Sequence, residues 1–211
     1  MAVDRSRAEA DHVDPRLHAP ATQRNRGPIL EVLSRVLPGD GLVLEVGSGT
    51  GEHAVWFAQQ LRPLLWQPSD PDVAMRRSIE LHAADAQCQT LLSPLDLDVT
   101  ESVWPVRRAN AIVSINLLHI APWSTAEGLM SGSARTLPDR GVLFLYGPFK
   151  REGKHTAPSN QAFDESLRNH NPNWGVRDLE AVTELADRRG FALEEIIDMP
   201  ANNLSVILRR R

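Results

Sequence analysis

Three glycines alternate along one short stretch of the chain, directly after an acidic residue. Glu45 is followed by Gly47, Gly49 and Gly51, with Ser48 between the first two glycines. Glycine lets the backbone take a positive φ and lets a ligand approach without a Cβ in the way. A helix that begins after the turn would present free N–H groups to the same ligand. The spacing predicts a cradle for a nucleotide-type ligand, and a strand-to-helix turn that binds nothing is the alternative.

The residues around the glycines argue against a phosphate group as the ligand. The turn does not continue into Gly-Lys-Ser or Gly-Lys-Thr, so it lacks the signature of a P-loop. Glu52 stands where the dinucleotide fingerprint has its third glycine, and a carboxylate there would face a pyrophosphate unfavourably. Glu45, in contrast, suits a cationic part of a ligand.

Alternating helices and strands must position these residues. The glycine-bounded apolar run at 41–46 predicts a buried parallel strand, and the spacing after Gly51 predicts a helix. The same alternation predicts further helices at 28–37, 73–84, 125–137 and 178–189, and further strands at 64–67, 90–97, 111–120, 141–147, 191–198 and 203–209. The pattern indicates an α/β fold with a doubly wound, mostly parallel sheet of seven strands. The last strand is expected to be antiparallel, because MPANN (199–203) suits a reversal of direction.

The glycine turn resembles motif I of class I S-adenosylmethionine-dependent methyltransferases. The resemblance implies S-adenosyl-L-methionine as cofactor and S-adenosyl-L-homocysteine as product; the cofactor carries a sulfonium and an ammonium but no phosphate. It also implies an acidic residue for the ribose at the end of the second strand, where Asp70 is favoured over Asp72 as closer to the strand. For the adenine amino group, Asp98, followed by Val99, is favoured over Asp96 as nearer the carboxyl end, although alternation puts both aspartates on one side. A helix cap or a turn is the alternative for each aspartate.

A second resemblance extends along most of the chain. Successive segments are similar to signatures of the methyltransferase-like 26 family, in order at 22–30, 44–58, 64–72, 97–105, 115–123, 145–149, 159–168, 174–178 and 199–204. This resemblance implies a single Rossmann-like class I methyltransferase domain. It does not assign the methyl acceptor.

The carboxyl ends of the fourth and fifth predicted strands are expected to deliver the acceptor chemistry. Methyl transfer is an in-line displacement, so the protein must align a nucleophile, exclude water and supply a base where the acceptor carries a proton. Asn116, His119 and Tyr146 lie at these strand ends. His119 is the best candidate base, since an unperturbed histidine pKa is about 6.5; a histidine bonded to backbone is the alternative. Tyr146 is a candidate catalytic or substrate-binding residue, with a buried structural hydroxyl as the alternative.

Residues outside the predicted core are expected to close the site. Arg24, Asn25 and His53 are candidate cofactor residues, although His53 is as well suited to packing or capping. An arginine at position 24 would suit a carboxylate of the cofactor or of an acceptor. The polar stretch 147–178 is expected to cover the substrate. The candidate substrate-binding residues there and in the last hairpin are Asn160, Asp164, Arg177, Asn202 and Asn203; turn formation is the alternative for the asparagines and aspartates.

Composition restricts the remaining possibilities. The 211 residues include 23 Lys and Arg against 27 Asp and Glu, and a formal charge of −4 offers no net attraction to a polyanion. A single cysteine, Cys88, supports neither an internal disulfide nor a cysteine-based metal site, and no metal is expected. The N-terminus lacks the apolar core of a signal peptide, and the apolar run 111–120 is shorter than the roughly 20 residues of a membrane helix.

These features predict a cytoplasmic protein with a flexible arm at 1–21 and one domain at 22–211, with 147–178 as a substrate-covering insertion. The expected partner is a small polar or carboxylate-bearing metabolite, with no nucleic acid and no membrane; the oligomeric state is left open. Nucleic-acid methylation is less favoured, because residues 116–119 read Asn-Leu-Leu-His rather than Asn-Pro-Pro-Tyr. Protein methylation is likewise a less favoured alternative. A non-catalytic protein that binds S-adenosylmethionine or S-adenosylhomocysteine is the alternative from another class.

Overall fold

The computed structural model describes residues 16–211, so most of the predicted N-terminal arm (1–21) lies outside the described residues. The helices are α1 (Pro20–Val36), α2 (Glu52–Gln60), α3 (Val73–Ala86), α4 (Trp123–Thr136), α5 (Pro158–His170) and α6 (Leu179–Arg188). The strands are β1 (Leu42–Val46), β2 (Leu65–Ser69), β3 (Ala111–Ile115), β4 (Val142–Gly147), β5 (Phe149–Arg151), β6 (Lys154–His155), β7 (Arg177–Asp178), β8 (Phe191–Met199) and β9 (Asn203–Arg210).

The main sheet has the strand order β2-β1-β3-β4-β9-β8. Strands β1 to β4 run parallel, and β9 is antiparallel to both of its neighbours, β4 and β8. The α/β fold with a mostly parallel sheet and an antiparallel last strand is therefore confirmed. The carboxyl ends of β1 to β4 meet at one edge of this sheet, where ligands of doubly wound folds bind.

The sheet has six strands within the described residues, so the prediction of seven was wrong. The segment 90–97 contacts β2 only through two isolated parallel bridges, Trp66 to Leu91 and Ser69 to Leu95. Proline cannot donate a ladder hydrogen bond, and Pro68 and Pro94 lie between these bridges on either side. The alternating sequence predicts a strand there, but the two prolines interrupt the ladder.

Helix α1 begins eight residues earlier than predicted, at Pro20 instead of Pro28. Pro20 occupies the first turn, where the missing N–H of proline costs little. Pro28 lies inside the helix, which nevertheless continues to Val36. The first turns bury only Thr22, so they carry no apolar stripe from which the sequence could predict them. The last residues of the predicted arm, 20 and 21, are therefore helical.

Two hydrophobic cores cover the two faces of the main sheet. Along β1, Leu44 and Val46 enter one core, and Val43 enters the other. In the second core the ring of Trp66 lies 5.4 Å from that of Phe57 on α2. This packing fixes the ends of the strands that carry the site.

The predicted insertion, 147–178, has regular structure. It contains β5, β6, α5 and β7, and its three strands form a small sheet in the order β6-β5-β7. No helix among residues 16–211 is long and apolar enough to cross a membrane. The same residues contain no group of three or more His, Cys, Asp or Glu side chains that could hold a metal ion.

Candidate functional site

The glycine turn connects β1 to α2 and is held against the end of β2. The Ser48 N–H donates to the Ser69 carbonyl over 2.9 Å, and the Ser69 N–H donates to the Ser48 hydroxyl over 3.1 Å. Gly49 and Gly51 have φ values of 55° and 91°. A Cβ at Gly51 would lie 2.8 Å from the Ile79 Cα, whereas a Cβ at Gly49 would meet nothing within 4 Å. Gly51 is therefore required for packing, while the space next to Gly49 is open.

Asp70 and Asp72, which the sequence could not fully separate, have different roles. The Asp70 carboxylate accepts the Gly49 N–H over 3.0 Å, so it lies against the glycine turn. Burial raises the pKa of Asp70, although the N–H groups of Asp72 and Gly49 oppose this. Asp72 is the N-cap of α3 and accepts the Ala74 N–H over 2.7 Å. The geometry supports Asp70 as the candidate ribose ligand.

Arg76, which was not among the predicted site residues, contacts both Asp70 and Asp96. Arg76 on α3 donates to the Asp70 carbonyl over 2.9 Å and forms an ion pair of 3.1 Å with Asp96. Asp98 instead accepts the N–H and the hydroxyl of Thr100, over 2.8 and 2.7 Å, and is exposed. Val99 is buried, and its carbonyl accepts the Trp104 indole N–H over 3.3 Å. Nothing in the spacing around position 76 signals its role.

Glu45 is enclosed beneath the turn. Its carboxylate accepts the indole N–H of Trp66 over 2.9 Å and is 1% exposed. Burial raises the pKa of Glu45 to about 7, against the opposing effect of hydrogen bonds from Trp66 and Ser48. The carboxylate predicted to face a cationic ligand therefore has a partner inside the protein and is partly protonated near neutral pH.

The loop after β3 joins the glycine turn to the insertion. Asn116 has a φ of 58°, and its N–H donates to the Tyr146 carbonyl over 2.8 Å. Leu117 packs under Gly47, where a Cβ would lie 3.1 Å from its Cδ1. His119 is 5% exposed, and its ring lies 5.4 Å from that of Phe163 on α5, in an edge-on arrangement. Phe163 was not predicted; it is an apolar residue left 40% exposed beside the candidate base.

His119 is neutral at physiological pH. Burial lowers its pKa to about 4, with a smaller contribution from the charge of Arg177. A neutral imidazole accepts a proton only weakly at this pKa, but it has one donor and one acceptor nitrogen with which to orient an acceptor group.

Asn25 on α1 and His53 on α2 are in contact, and Tyr146 is buried at the end of β4. The His53 Nε2 is 2.8 Å from the Asn25 Oδ1. Burial lowers the pKa of His53 to about 4. Burial also raises the pKa of Tyr146, an effect that the Asn25 side chain opposes. Arg24, one residue before Asn25, is exposed.

Asp164, a candidate substrate ligand, holds the insertion together. Its oxygens lie 3.0 Å from the Lys150 Nζ, 3.3 Å from the His155 Nε2 and 3.2 Å from the Arg168 Nε. It also accepts the Val176 N–H over 2.7 Å. Burial alone would raise the pKa of Asp164, but these hydrogen bonds outweigh it and lower the pKa.

Arg177, another candidate substrate ligand, is bonded to backbone carbonyls. Its guanidinium donates to the carbonyls of Leu118, over 2.9 Å, of Ala121, and of Asn173, over 2.8 Å. The Gly175 N–H donates to the His119 carbonyl over 2.9 Å. These bonds attach the insertion to the loop that carries His119, so Arg177 positions that loop.

The asparagines of the predicted acceptor site join α5 to the last hairpin. The Asn160 amide donates to the Asn202 carbonyl over 2.9 Å and to the Thr156 hydroxyl over 3.1 Å. The Asn203 amide donates to the Pro200 carbonyl over 3.1 Å, within the turn that precedes β9. Turn formation therefore accounts for Asn203, and Asn160 connects two elements.

The residues present fit S-adenosylmethionine. The Cβ position of Gly49 is open, and the Gly49 N–H is bonded to the Asp70 carboxylate, a group that suits ribose hydroxyls. The turn 47–51 carries no basic side chain. The cofactor would be held by the turn and Asp70, with α1 and the ends of β3 and β4 beside them.

Comparison with known proteins gives a family and a fold. The model of the family described as "Protein of unknown function (DUF938)" matches residues 16–210. Among solved structures, the S-adenosylmethionine-dependent methyltransferase SibL in its apo form is 17% identical, with a TM-score of 0.74 over 90% of this chain and 55% of that chain. An O-methyltransferase family protein from Burkholderia thailandensis is 13% identical, with a TM-score of 0.77 over 90% of this chain and 57% of that chain.

A third similar structure is CalO1, a methyltransferase in calicheamicin biosynthesis, in its S-adenosylhomocysteine-bound form. It is 17% identical, with a TM-score of 0.68 over 88% of this chain and 54% of that chain. The chain thus spans just over half the length of the solved structures that it matches. These similarities show the Rossmann-like methyltransferase fold.

Proposed function

The chain belongs to the DUF938 family, and we propose that it is an S-adenosylmethionine-dependent methyltransferase acting on a small polar or carboxylate-bearing metabolite. The observation that carries the proposal is the turn at Gly49 on the carboxyl edge of the sheet, where the space at the Cβ position is open and the Asp70 carboxylate accepts the Gly49 N–H. The similar segments of the methyltransferase-like 26 family support the same activity.

The cofactor half of the site consists of the glycine turn and the end of β2. The Asp70 carboxylate accepts hydrogen bonds from the ribose hydroxyls, and the backbone at Gly49 allows close approach. Asp98 and Val99 follow the segment 90–97, which forms two isolated bridges with β2, and are the proposed adenine contacts. When bound, S-adenosylmethionine supplies an electrophilic methyl group on a sulfonium.

The acceptor half lies where the loop after β3, the end of β4 and α5 meet. His119 and Tyr146 present neutral polar groups there, and Phe163 shields His119 from water. Because the pKa of His119 is about 4, its first role is to orient the acceptor. Strong base catalysis is not needed for an acceptor that is ionised at neutral pH, such as a carboxylate.

Labelled S-adenosylmethionine tests the proposal directly. The purified protein is incubated with the label and cell extract, which is then separated into small-molecule, protein and nucleic-acid fractions. We expect label in the small-molecule fraction, and loss of that label with Asp70→Ala. Asp187→Ala is the matched control, since its carboxylate is exposed and, among residues 16–211, forms an ion pair with Arg211 alone.

Binding separates the alternatives. S-Adenosylhomocysteine that binds without transfer of label to any fraction would favour a non-catalytic binding protein. Failure to bind S-adenosylhomocysteine or S-adenosylmethionine would overturn the methyltransferase proposal. Label in the protein or nucleic-acid fraction would overturn the proposed acceptor class only.

A further inference from the structure

A cavity of about 260 Å³ lies between the insertion and the last hairpin. This hairpin cavity is lined by Arg151 and Thr156 of the insertion and by residues 198–199 and 202–204 of the hairpin. Leu204 pairs with Gly147 at the end of β4, and a Cβ on Gly147 would lie 3.3 Å from the His119 Nδ1. Because neighbouring strands lie about 4.8 Å apart, the cavity begins roughly one strand beyond His119, in the direction of the hairpin.

The hairpin turn that forms one wall of the cavity is held in a strained conformation. Ala201 and Asn202 have φ values of 59° and 57°, in the left-handed region that is costly for residues other than glycine. Asn160, which is 6% exposed on α5, donates to the Asn202 carbonyl over 2.9 Å. The Asn203 amide donates to the Pro200 carbonyl over 3.1 Å. Strained backbone persists where its surroundings hold it, and it clusters at ligand sites. The wall therefore has a fixed shape before any ligand binds.

The cavity combines hydrogen-bonding groups with apolar surface. The Thr156 hydroxyl accepts the Asn160 amide over 3.1 Å, and within residues 16–211 it donates to no group, so its proton is uncommitted. The Asn202 side chain likewise forms no hydrogen bond in the part of the chain that the structure describes. Met199 and Leu204 are buried and supply the apolar part of the lining. A ligand that fits this lining has both carbon–hydrogen surface and hydrogen-bonding groups.

The two charged residues of the lining neutralise each other. The Arg151 guanidinium donates to the Asp198 carboxylate over 3.1 Å, and both side chains are exposed. The lining as a whole therefore carries no net charge, and an ionised ligand would have to compete with this pair. A hydroxyl group can both accept and donate, so it can bond to Arg151 and to Asp198 without a change of charge.

We propose that the hairpin cavity binds an uncharged, hydroxyl-bearing part of the methyl acceptor, remote from the atom that receives the methyl group. Thr156 and Asn202 bond to its hydroxyl groups, and Met199 and Leu204 contact its carbon atoms. The volume is just below the range of about 300–1,000 Å³ for sites that take a whole drug-sized ligand, which suits one end of a small metabolite. A carboxylate, where the acceptor has one, lies outside this cavity. The inference rests on the proposed function, because the ligand is the acceptor of that reaction.

Asn202→Gly removes one hydrogen-bonding side chain from the cavity without disturbing the turn. Glycine takes a φ of 57° without strain, and the carbonyl that Asn160 bonds is still present. Gln87→Gly is the matched control, because it also removes a carboxamide from a residue of positive φ, 45°. Gln87 is exposed at the C-cap of α3, away from the hairpin cavity.

Methyl transfer is measured with labelled S-adenosylmethionine and increasing amounts of the small-molecule fraction of a cell extract. The amount that gives half-maximal labelling reports acceptor binding, and the maximal rate reports the reaction. Asn202→Gly should raise the half-maximal amount about threefold to tenfold, the value of one hydrogen bond, at an unchanged maximal rate. Calorimetric binding of S-adenosylhomocysteine should be unchanged, and Gln87→Gly should match wild type throughout.

The charged pair tests whether the bound part is uncharged. Arg151→Gln and Asp198→Asn each remove one charge and keep a hydrogen-bonding amide. For an uncharged part, neither variant lowers the half-maximal amount. A fall with Asp198→Asn would show an anionic part drawn to the freed arginine, and a fall with Arg151→Gln would show a cationic part; either result overturns the inference.

The same measurements separate this inference from the proposed function. Wild type that transfers label to no fraction overturns the proposed function and this inference with it. Transfer by wild type, with the same half-maximal amount for Asn202→Gly, overturns this inference alone. Weaker S-adenosylhomocysteine binding by Asn202→Gly would also overturn it, because the cavity would then serve the cofactor.

Discussion

Two glycines of one turn are expected to respond in opposite ways to the same substitution. Gly49→Ala should leave the fold largely intact and weaken cofactor binding, whereas Gly51→Ala should destabilise the fold. The structural basis is the surroundings of each added Cβ: open space at Gly49, and the Ile79 backbone 2.8 Å away at Gly51.

The expected magnitudes follow from the geometry. Both residues have positive φ, which costs an alanine about 1–2 kcal/mol. The contact at Gly51 adds about 1–3 kcal/mol of overpacking, because a backbone atom cannot move aside as a flexible side chain can. At about 2–4 °C per kcal/mol for a domain of this size, Gly51→Ala should lower Tm by roughly 4–20 °C. Gly49→Ala should lower it by roughly 2–8 °C.

Thermal unfolding and calorimetric binding of S-adenosylhomocysteine check the two effects. Gly153→Ala is the control for the backbone cost alone, because Gly153 has a φ of 73° and a Cβ there would meet nothing within 4 Å. Gly49→Ala should unfold like this control yet bind S-adenosylhomocysteine about tenfold more weakly, or worse. Binding as tight as that of wild type would refute the placement of the cofactor against Gly49. Equal stability of the Gly49 and Gly51 variants would refute the packing argument.

Three further substitutions or titrations address the buried charges. Glu45→Gln keeps an acceptor for the indole N–H of Trp66. Burial raises the pKa of Glu45 in the folded protein to about 7, above its value in the unfolded chain. The free energy of unfolding of wild type therefore falls as the pH rises from about 4.5 to 7. In the variant the free energy of unfolding should not show this fall, which is on the order of 3 kcal/mol between pH 4 and 8 in urea unfolding. Parallel curves of unfolding free energy against pH for wild type and variant would contradict the prediction. For His119, an NMR titration should show a midpoint near the lowered pKa of about 4, and a midpoint at the ordinary value would show that the ring is hydrated. Asp164→Asn should lower the free energy of unfolding by about 3 kcal/mol, because its basic partners are left uncompensated. The exposed Asp187→Asn should lower it by less than about 1 kcal/mol. Similar losses for the two variants in urea unfolding would mean that Asp164 does not hold the insertion together.

The parts of the site that the sequence predicts are those set by local geometry. The alternating glycines determine a turn after a strand whatever the rest of the chain does. Asp70 follows from the end of β2 a few residues away. The structure places both together, with the Asp70 carboxylate 3.0 Å from the Gly49 nitrogen. The turn follows from spacing, whereas the ribose role of Asp70 is implied by the resemblance to motif I and stays a prediction.

Other features depend on contacts between distant segments. The segment 90–97 has the alternation of a strand, but its pairing with β2 is reduced to two isolated bridges, between which Pro68 lies on one segment and Pro94 on the other. No short window of sequence contains both prolines. The beginning of α1 is polar and depends on Pro20 at its first turn. Asn25 is placed against His53, 28 positions later, by the packing of α1 on α2. The long-range contacts of an asparagine leave no pattern in the sequence around it.

Two charged residues of the insertion, Asp164 and Arg177, bear on how a methyl acceptor is recognised. Asp164 and Arg177 have the types and the setting of substrate ligands, yet one is surrounded by bases and the other by carbonyls of the protein. Both charges are engaged by contacts within the protein: Asp164 holds the insertion together, and Arg177 attaches it to the loop that carries His119. We therefore propose that Arg24, which is exposed beside Asn25 and forms no ion pair within residues 16–211, recognises an acceptor carboxylate. If Arg24 does not contact the acceptor, the groups that remain at the carboxyl edge are neutral, and the acceptor is recognised by hydrogen bonds and by the exposed ring of Phe163.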